Sequence, residues 1–420
     1  MNQQIKQRIE QINNGQVPEG YKKTEFGIFP SDWVTDKKLK DIGSFDKGRG
    51  LPGDKMCDSG VPCVGYGDIY MKYNNFHFEK AENFVDEETA SESLPIKKGT
   101  LLFTGTGETA EEIGKCVCYN GDETIYAGGD IITFKTNDVN PLFLAYQQYQ
   151  SYSLAKKASF GQGHSVVHIH ADNLEKLNVA YPKSIAEQEK IAEILMKWDK
   201  VIELQEKYVE KLIIRKDKTI QELIKAQKNW IKTTLSTVLI EKSERTKINN
   251  QHQVLSSTKI GLVAQSDYFD KQVASEDNTG YKIVKKGEIV LSPQNLWLGN
   301  INYNDNFDIG IVSPSYKIFE INNSFDKVFI STLMKSPKML HQYVLSSEQG
   351  ASVVRRNLNM DSFYDIQICV PTLEKQRRIS TIISVSQKLI EFENEKLDKM
   401  KQQRKALQQY LLNGIVRVEV

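Results

Sequence analysis

Two stretches of this chain say nearly the same thing. LEKLNVAYPKSIAEQEKIAEIL, beginning at Leu174, returns as FYDIQICVPTLEKQRRISTII, beginning at Phe363, and each leads through a proline and a glutamine into a long charged run without glycine. Ile191 and Ile379, 188 positions apart, fix the offset. The match extends across most of the chain. Trp33 pairs with Trp230 and Gly99 with Gly287. Gly163, Ser165, Val166 and Val167 pair with Gly350, Ser352, Val353 and Val354. Asp172, Pro182 and Gln188 pair with Asp361, Pro371 and Gln376. Before Gly99 the first copy needs a longer insertion. A period this long far exceeds the roughly 20–50 residues of solenoid repeats, so the chain is read as two similar domains in a pseudo-twofold molecule.

The charged runs predict helices. No proline or glycine interrupts residues 185 to 227, and Ile191, Leu195, Trp198, Ile202, Tyr208 and Leu212 keep steps of three or four once the polar Gln205 is counted between Ile202 and Tyr208, as in a coiled-coil seam. The second run, Leu373 to about Leu412, carries Ile379, Ile382, Leu389, Leu397, Met400, Leu407 and Tyr410, and Gly414 is a stop signal. The heptad phase is shared, and both stripes carry a polar residue at the same step, Gln205 and Glu393. The simplest arrangement pairs the two helices antiparallel. The alternatives are helices that pack only on their own domains or that drive homodimerisation.

Between them lie two mixed α/β segments. IYAGGDIITFKTN and FDIGIVSPSYKIFEIN are short β-rich runs broken by turn residues. A single helical stretch follows each, PLFLAYQQYQSYSLAKKA and KVFISTLMKSPKMLHQYVLSS. The expected fold class is α+β. Residues 1–30 form an N-terminal segment near the helical region, 31–182 the first domain, 183–229 the first helical region, 230–371 the second domain and 372–420 the distal helix and tail.

Composition sets the class. At 420 residues, 40% hydrophobic and 26% charged, the chain reads as soluble and globular. The start, MNQQIKQRIEQINNG, lacks the apolar stretch of a signal peptide, which predicts a cytoplasmic protein. Five cysteines without a Cys-x-x-Cys pair predict reduced thiols. A net charge of +1 requires any basic face to be offset by acidic surface, such as Glu79 to Glu92.

Specificity is expected in the loops. The first copy offers Lys47 and Arg49, then Thr104, Thr106 and Lys115 in FTGTGETAEEIGK, then Gln162, His164, Ser165 and His168 in FGQGHSVVHIH. The second offers Gln294, Asn295 and Trp297 in SPQNLWLGN, and Gln349, Ser352, Arg355, Arg356 and Asn357 in EQGASVVRRN. Arginine reads guanine, and glutamine or asparagine reads adenine, through paired hydrogen bonds in the major groove; hydroxyls and glycine-freed amides hold phosphates.

Catalytic motifs fail on inspection. Phe103, Gly105 and Gly107 imitate an adenosylmethionine loop, and Asn140-Pro141-Leu142-Phe143 imitates the Asn-Pro-Pro-Phe of adenine methyltransferases, but the second proline is missing. Gly107 to Lys115 has six residues between its glycines and ends in Cys116, unlike a phosphate-binding loop. His164, His168 and His170 suggest a metal, yet the repeat begins with Ala351 and Arg355 at the matching places.

With this order established, the chain resembles the specificity subunits of type I restriction-modification enzymes. The residues that carry the resemblance are TEFGIFPSDW from Thr24, GVPCVGYGDI from Gly60, PKSIAEQEKIAEIL from Pro182, PTLEKQRRI from Pro371 and VLSSTKIGLVAQSDYF from Val254. The resemblance implies a non-catalytic reader of double-stranded DNA. Two target-recognition domains each bind half of a bipartite, asymmetric sequence, and paired helices set the spacer. Two modification subunits dock on the helical regions, for which Gln188, Ile191, Trp198, Gln376 and Ile379 are the candidate residues. Restriction subunits complete the enzyme. No cofactor is expected in this chain; S-adenosylmethionine, ATP and Mg2+ belong to the partners. One departure stands out, since Ala186 and Glu187 become Glu374 and Lys375 in the repeat. The competing readings are a coiled-coil scaffold that binds only protein and a stand-alone DNA methyltransferase.

Overall fold

A computed structural model of the chain describes residues 3–73, 76–163, 165–258, 261–268, 277–349 and 356–419. The chain divides into two compact units, Met1–Lys207 with Glu395–Val420, and Tyr208–Asn394. Each unit therefore owns one globular domain and a part of both long helices.

The first unit is built on a sheet in the order Gly43–Lys47, Ile131–Thr136, Thr100–Thr104, Cys116–Tyr119, His77–Phe78. The central strands Thr100–Thr104 and Cys116–Tyr119 are buried along their whole length, as expected of apolar runs covered on both faces. The second unit repeats the first four strands as Leu239–Lys242, Lys317–Ile321, Glu288–Leu291, Ile301–Tyr303. A further antiparallel pair recurs as well: Leu94–Ile96 with Ile125–Ala127 matches Lys282–Lys285 with Ile309–Val312. The longer stretch before Gly99 adds the helix Glu87–Glu92 and the strand Asn83–Val85 to the first unit.

The single helical stretch expected in each copy is two helices. Pro141–Gln147 and Ser151–Phe160 are separated by Gln150 in extended conformation; Lys327–Met334 and Pro337–Leu345 are separated because Ser336 caps a new helix with Pro337 in its first turn. Asn140 Oδ1 accepts from the Phe143 amide at 2.9 Å, and Asp326 Oδ1 from the Phe329 amide at 3.0 Å. These are N-caps that satisfy amides a helix start leaves open. The residues they lead into meet the matched tryptophans edge-on, Trp33 on Phe143 at 6.4 Å and Trp230 on Phe329 at 6.0 Å.

The duplicated glutamine joins helix to domain. Gln188 Oε1 accepts from the Asn140 amide at 2.7 Å while Nε2 donates to the Pro182 carbonyl at 2.8 Å. In the second unit Gln376 Oε1 accepts from the Asp326 amide at 2.9 Å and Nε2 donates to the Pro371 carbonyl at 2.9 Å. Both side chains are buried.

The long helices run Ile185–Leu223 and Leu373–Leu412. The first stops a turn short of the uninterrupted run in the sequence, where Ile224 enters the second core. Each helix begins in one core and ends in the other. Ile191, Ala192 and Leu195 belong to the first core, and Ile220, Leu223 and Ile224 to the second; Ile379 and Ile383 belong to the second, and Leu407, Leu411 and Leu412 to the first. Gly414 then turns at φ +65°, where an added Cβ would lie 2.5 Å from Pro30. The tail is held against the N-terminal segment: the Tyr21 hydroxyl donates to the Gly414 carbonyl at 2.6 Å, Arg8 donates to the Ile415 carbonyl, and Arg417 bridges Glu187 and Asp32.

Within each unit the helices pair antiparallel, but with different chemistry. In the first, Arg404 and Asp199, 9% and 6% exposed, form a buried bidentate pair. Asp199 also accepts from the Tyr146 hydroxyl at 2.7 Å, and the guanidinium lies 4.3 Å from the Phe76 ring centroid. The 188-residue offset maps this pair onto Gln387 and Lys216, which in the second unit make one exposed hydrogen bond of 3.0 Å. Among the described residues no helix is long and apolar enough to cross a membrane.

Two outcomes follow for urea unfolding of the full chain. Arg404→Ala strands a buried carboxylate and costs on the order of 3–5 kcal/mol, whereas Lys216→Ala stays within about 0.5 kcal/mol; equal effects would contradict the asymmetry. Gln188→Leu leaves the Asn140 amide and Pro182 carbonyl unpaired, at roughly 1–3 kcal/mol for each buried group, and Gln376→Leu does the same in the second unit.

Candidate nucleic-acid interface

In both units the loop after one central strand of the main sheet, Thr100–Thr104 in the first and Glu288–Leu291 in the second, docks on a return hairpin. In the first unit Thr106–Gly107 pairs antiparallel with Val167–His168, and the Ile169 amide donates to the Gly105 carbonyl at 3.0 Å. Gln162 and His168 exchange backbone hydrogen bonds of 3.0 and 2.8 Å, closing the hairpin tip. Gly163 makes that closure possible, since it sits at φ +127° and a Cβ there would lie 1.9 Å from the Val166 carbonyl oxygen. The Thr106 hydroxyl and His168 Nδ1 are 3.2 Å apart. Gln162, Ser165, His168 and the apolar Val166 are exposed around this contact.

Strand register adds two cations to the same end of the sheet. Ile132 pairs with Lys47 on one side and Phe103 on the other, so Lys47 and Arg49 leave the sheet where Thr106 does. Both are exposed.

Thr104 is a correction. It is fully buried, and its hydroxyl shares a 2.7 Å hydrogen bond with Tyr70 and accepts from the Lys115 amide at 3.0 Å. It supports the loop and offers nothing to a ligand, because the buried strand ends only at this residue. Lys115 is half-buried and donates to the Tyr70 carbonyl at 3.2 Å; burial pushes its pKa below the usual lysine value, partly offset by Glu112. Beneath the loop the buried Lys157 donates to the Gly114 carbonyl at 2.8 Å, and burial brings its pKa down to about 8. No sequence signal marked Lys157, which reads as one more charged residue on a helix.

The second unit repeats the platform with other side chains. The Arg356 amide donates to the Gln294 carbonyl at 3.4 Å, and the Arg356 guanidinium lies 4.9 Å from the Trp297 ring centroid. Gln294 and Asn357 are exposed; Asn295 is half-buried and donates to Ser292 Oγ at 3.5 Å. Gln349 lies in the strand Ser347–Gln349, paired with Arg356–Leu358. His164, Ser352 and Arg355 fall outside the described residues.

The helix residues expected to dock partners need correction as well. Gln188, Ile191, Gln376 and Ile379 are buried within their own units, two as clamps and two as core. Trp198 is half-buried. Exposed apolar positions on the helices include instead Val201 and Leu204, with their repeat equivalents Leu389 and Phe392, as well as Ile382 and Val385, and Ile185, Tyr208, Ile213 and Ile214 on the first helix. A heptad stripe gives the period of an apolar face but not which neighbour covers it.

The asparagine of the methyltransferase-like Asn140-Pro141-Leu142-Phe143 is the N-cap described above, with the proline in the first turn of its helix.

Comparison with known proteins agrees with this architecture. A family model described as the type I restriction modification DNA specificity domain matches residues 30–213. The chain is 25% identical to the type I restriction enzyme MjaX specificity subunit of Methanocaldococcus jannaschii, over 96% of this chain and 97% of that protein. Its fold is that of the S subunit of a type I restriction-modification system from M. genitalium, with a TM-score of 0.51, 15% identity, and coverage of 92% of this chain and 97% of that one. A chain from a solved type I R-M assembly matches at a TM-score of 0.57 and 12% identity, covering 96% and 100%. With its duplicated platform, its paired helices and these matches, the chain is similar along most of its length to the specificity subunits of type I restriction-modification systems.

Proposed function

We propose that this chain is the DNA-reading subunit of a type I restriction-modification complex, each unit reading one half of a bipartite, asymmetric sequence. The observation that carries the reading is the repeated platform: the same loop-on-hairpin contact at the same end of the same sheet, presenting Thr106, Gln162 and His168 in one unit and Gln294, Trp297 and Arg356 in the other. Identical frames with different polar side chains suit two half-sites of different sequence. Because each long helix starts in one core and ends in the other, the helices are the element that sets the spacer.

Two modification subunits dock on the helical regions, and restriction subunits join them; the solved type I R-M assembly with the same fold supports such a complex. The exposed apolar pairs Val201 with Leu204 and Leu389 with Phe392, the last 62% exposed, are the repeat-related surface for that docking. S-adenosylmethionine, ATP and Mg2+ are carried by those partners, and adenine N6-methylation is their chemistry. A DNA-modifying complex of this kind works in the cytoplasm.

Co-expression with the modification subunit should place methylated adenines in one bipartite, non-palindromic motif, read by methylation-sensitive sequencing. Affinity of the assembled complex for that DNA should fall linearly on a log–log plot as salt rises, since phosphate contacts release counterions. A continuous palindrome, or affinity indifferent to salt, would sink the reading. Leu204→Asp with Phe392→Asp should abolish co-purification of the modification subunit while leaving the thermal unfolding of the isolated chain unchanged.

A further inference from the structure

The two platforms share a backbone contact but differ sharply in the side chain it carries. The hairpins set the equivalence: Gln162 pairs with His168 in the first unit, and its match Gln349 pairs with Arg356 in the second, so Arg356 stands in the place of His168. Each return strand also donates to the preceding loop, the Ile169 amide to the Gly105 carbonyl and the Arg356 amide to the Gln294 carbonyl. Where the first unit has an imidazole 3.2 Å from the Thr106 hydroxyl, the second places an arginine whose guanidinium lies over the Trp297 ring. Holding the loop needs no guanidinium there, as the first unit demonstrates.

The bonding state of the arginine is informative. Arg404 also lies over aromatic rings, but its donors are taken by Asp199 and Gln408. Arg417 is taken by Glu187 and Asp32, Arg245 donates to the Gly280 carbonyl, and Arg378 pairs with Glu374. Among the described residues, none accepts a hydrogen bond from the Arg356 guanidinium or forms an ion pair with it; its recorded side-chain contact is the ring. A π face restrains the guanidinium plane and consumes no N–H group. The five donors stay available along the edge, in the fork that matches two acceptors side by side.

Trp297 is itself fixed. It sits in the tight turn Leu296–Leu298, which Gly299 ends at φ +88°, and its indole nitrogen is buried without a hydrogen-bond partner among the described residues. Such a ring serves as a platform by its face.

We infer that Arg356 reads a guanine in the second half-site, through the O6 and N7 acceptors of its major-groove edge, and that Trp297 is the positioning residue that presents it. The inference rests on the DNA-reading function proposed above. Its test uses the assembled complex with its modification subunits and a duplex library randomised at each half-site in turn, with base preference read at every position. The wild-type complex should require guanine at one position of one half-site. Arg356→Lys and Arg356→Gln should relax that position alone, on the order of ten- to hundred-fold, leaving the other half-site untouched. Trp297→Ala should relax the same position, and Trp297→Phe, which keeps a π face, should restore most of the preference. Thermal unfolding of each variant separates this from loss of fold, and Arg356→Gln on a half-exposed strand end should match wild type. If affinity falls uniformly with base preference unchanged, Arg356 contacts phosphate and the inference is overturned. Relaxation in the other half-site also overturns it. A wild-type complex with no bipartite preference would instead remove the functional reading on which the inference stands.

Discussion

The structure depends on a glutamine used twice. Gln188 and Gln376 each take an amide with one end of the carboxamide and give a proton to a carbonyl with the other. A glutamate would lose the donor and an asparagine the reach. The accepted amide belongs to the N-cap of a core helix, and that helix carries the phenylalanine on which the matched tryptophan rests. The start of each long helix is thereby tied to the centre of its own domain. Proline and glutamine are six positions apart in the first copy and five in the second, yet the bonded geometry is the same, so the clamp and not the spacing is what the repeat preserves.

Much of this was legible in the sequence and some could not be. The duplication, the second helix from Leu373 to Leu412 and the alternation of short strands and helices follow from pattern alone. The role of Gln188 does not, because its partner at Asn140 is 48 positions away and a glutamine near a helix start reads as surface. Ile191 and Ile379 keep perfect heptad phase while facing their own domains, since the first turns of each helix serve the core before the helices pair. In the loops, Thr104 and Thr106 look equivalent in FTGTG. One closes a strand buried on both faces and the other, half-buried, begins the short strand that meets the hairpin, a distinction set by where the sheet ends and by nothing in the two residues themselves.

The helical regions carry their own asymmetry. The offset that preserves the clamp converts a buried, bidentate Arg404–Asp199 pair into an exposed Lys216–Gln387 hydrogen bond. A buried pair is costly to desolvate and worth keeping only with all its bonds made, which Tyr146 and Gln408 provide in the first unit. Gln387 carries no charge and lies in the open, where such a network is unnecessary. Glu187, which holds the tail through Arg417, is likewise Lys375 in the repeat, where it lies over the Trp230 ring and donates to Gln227. The two junctions share a backbone design and were solved with different side chains.

The same logic explains why the reading loops can diverge. Much of what holds them is main-chain bonding: the Ile169 amide on Gly105, the Arg356 amide on Gln294, and the paired amides and carbonyls of Gln162 and His168. Main-chain bonds make few demands on side chains, apart from the glycine that closes the tip at Gly163. A frame fixed by its backbone and by supports such as the buried Lys157 and the half-buried Tyr70 leaves the outward residues free to change without cost to the fold. A histidine beside a threonine in one copy and a stacked arginine in the other, opposite matched glutamines, is the form that freedom takes here.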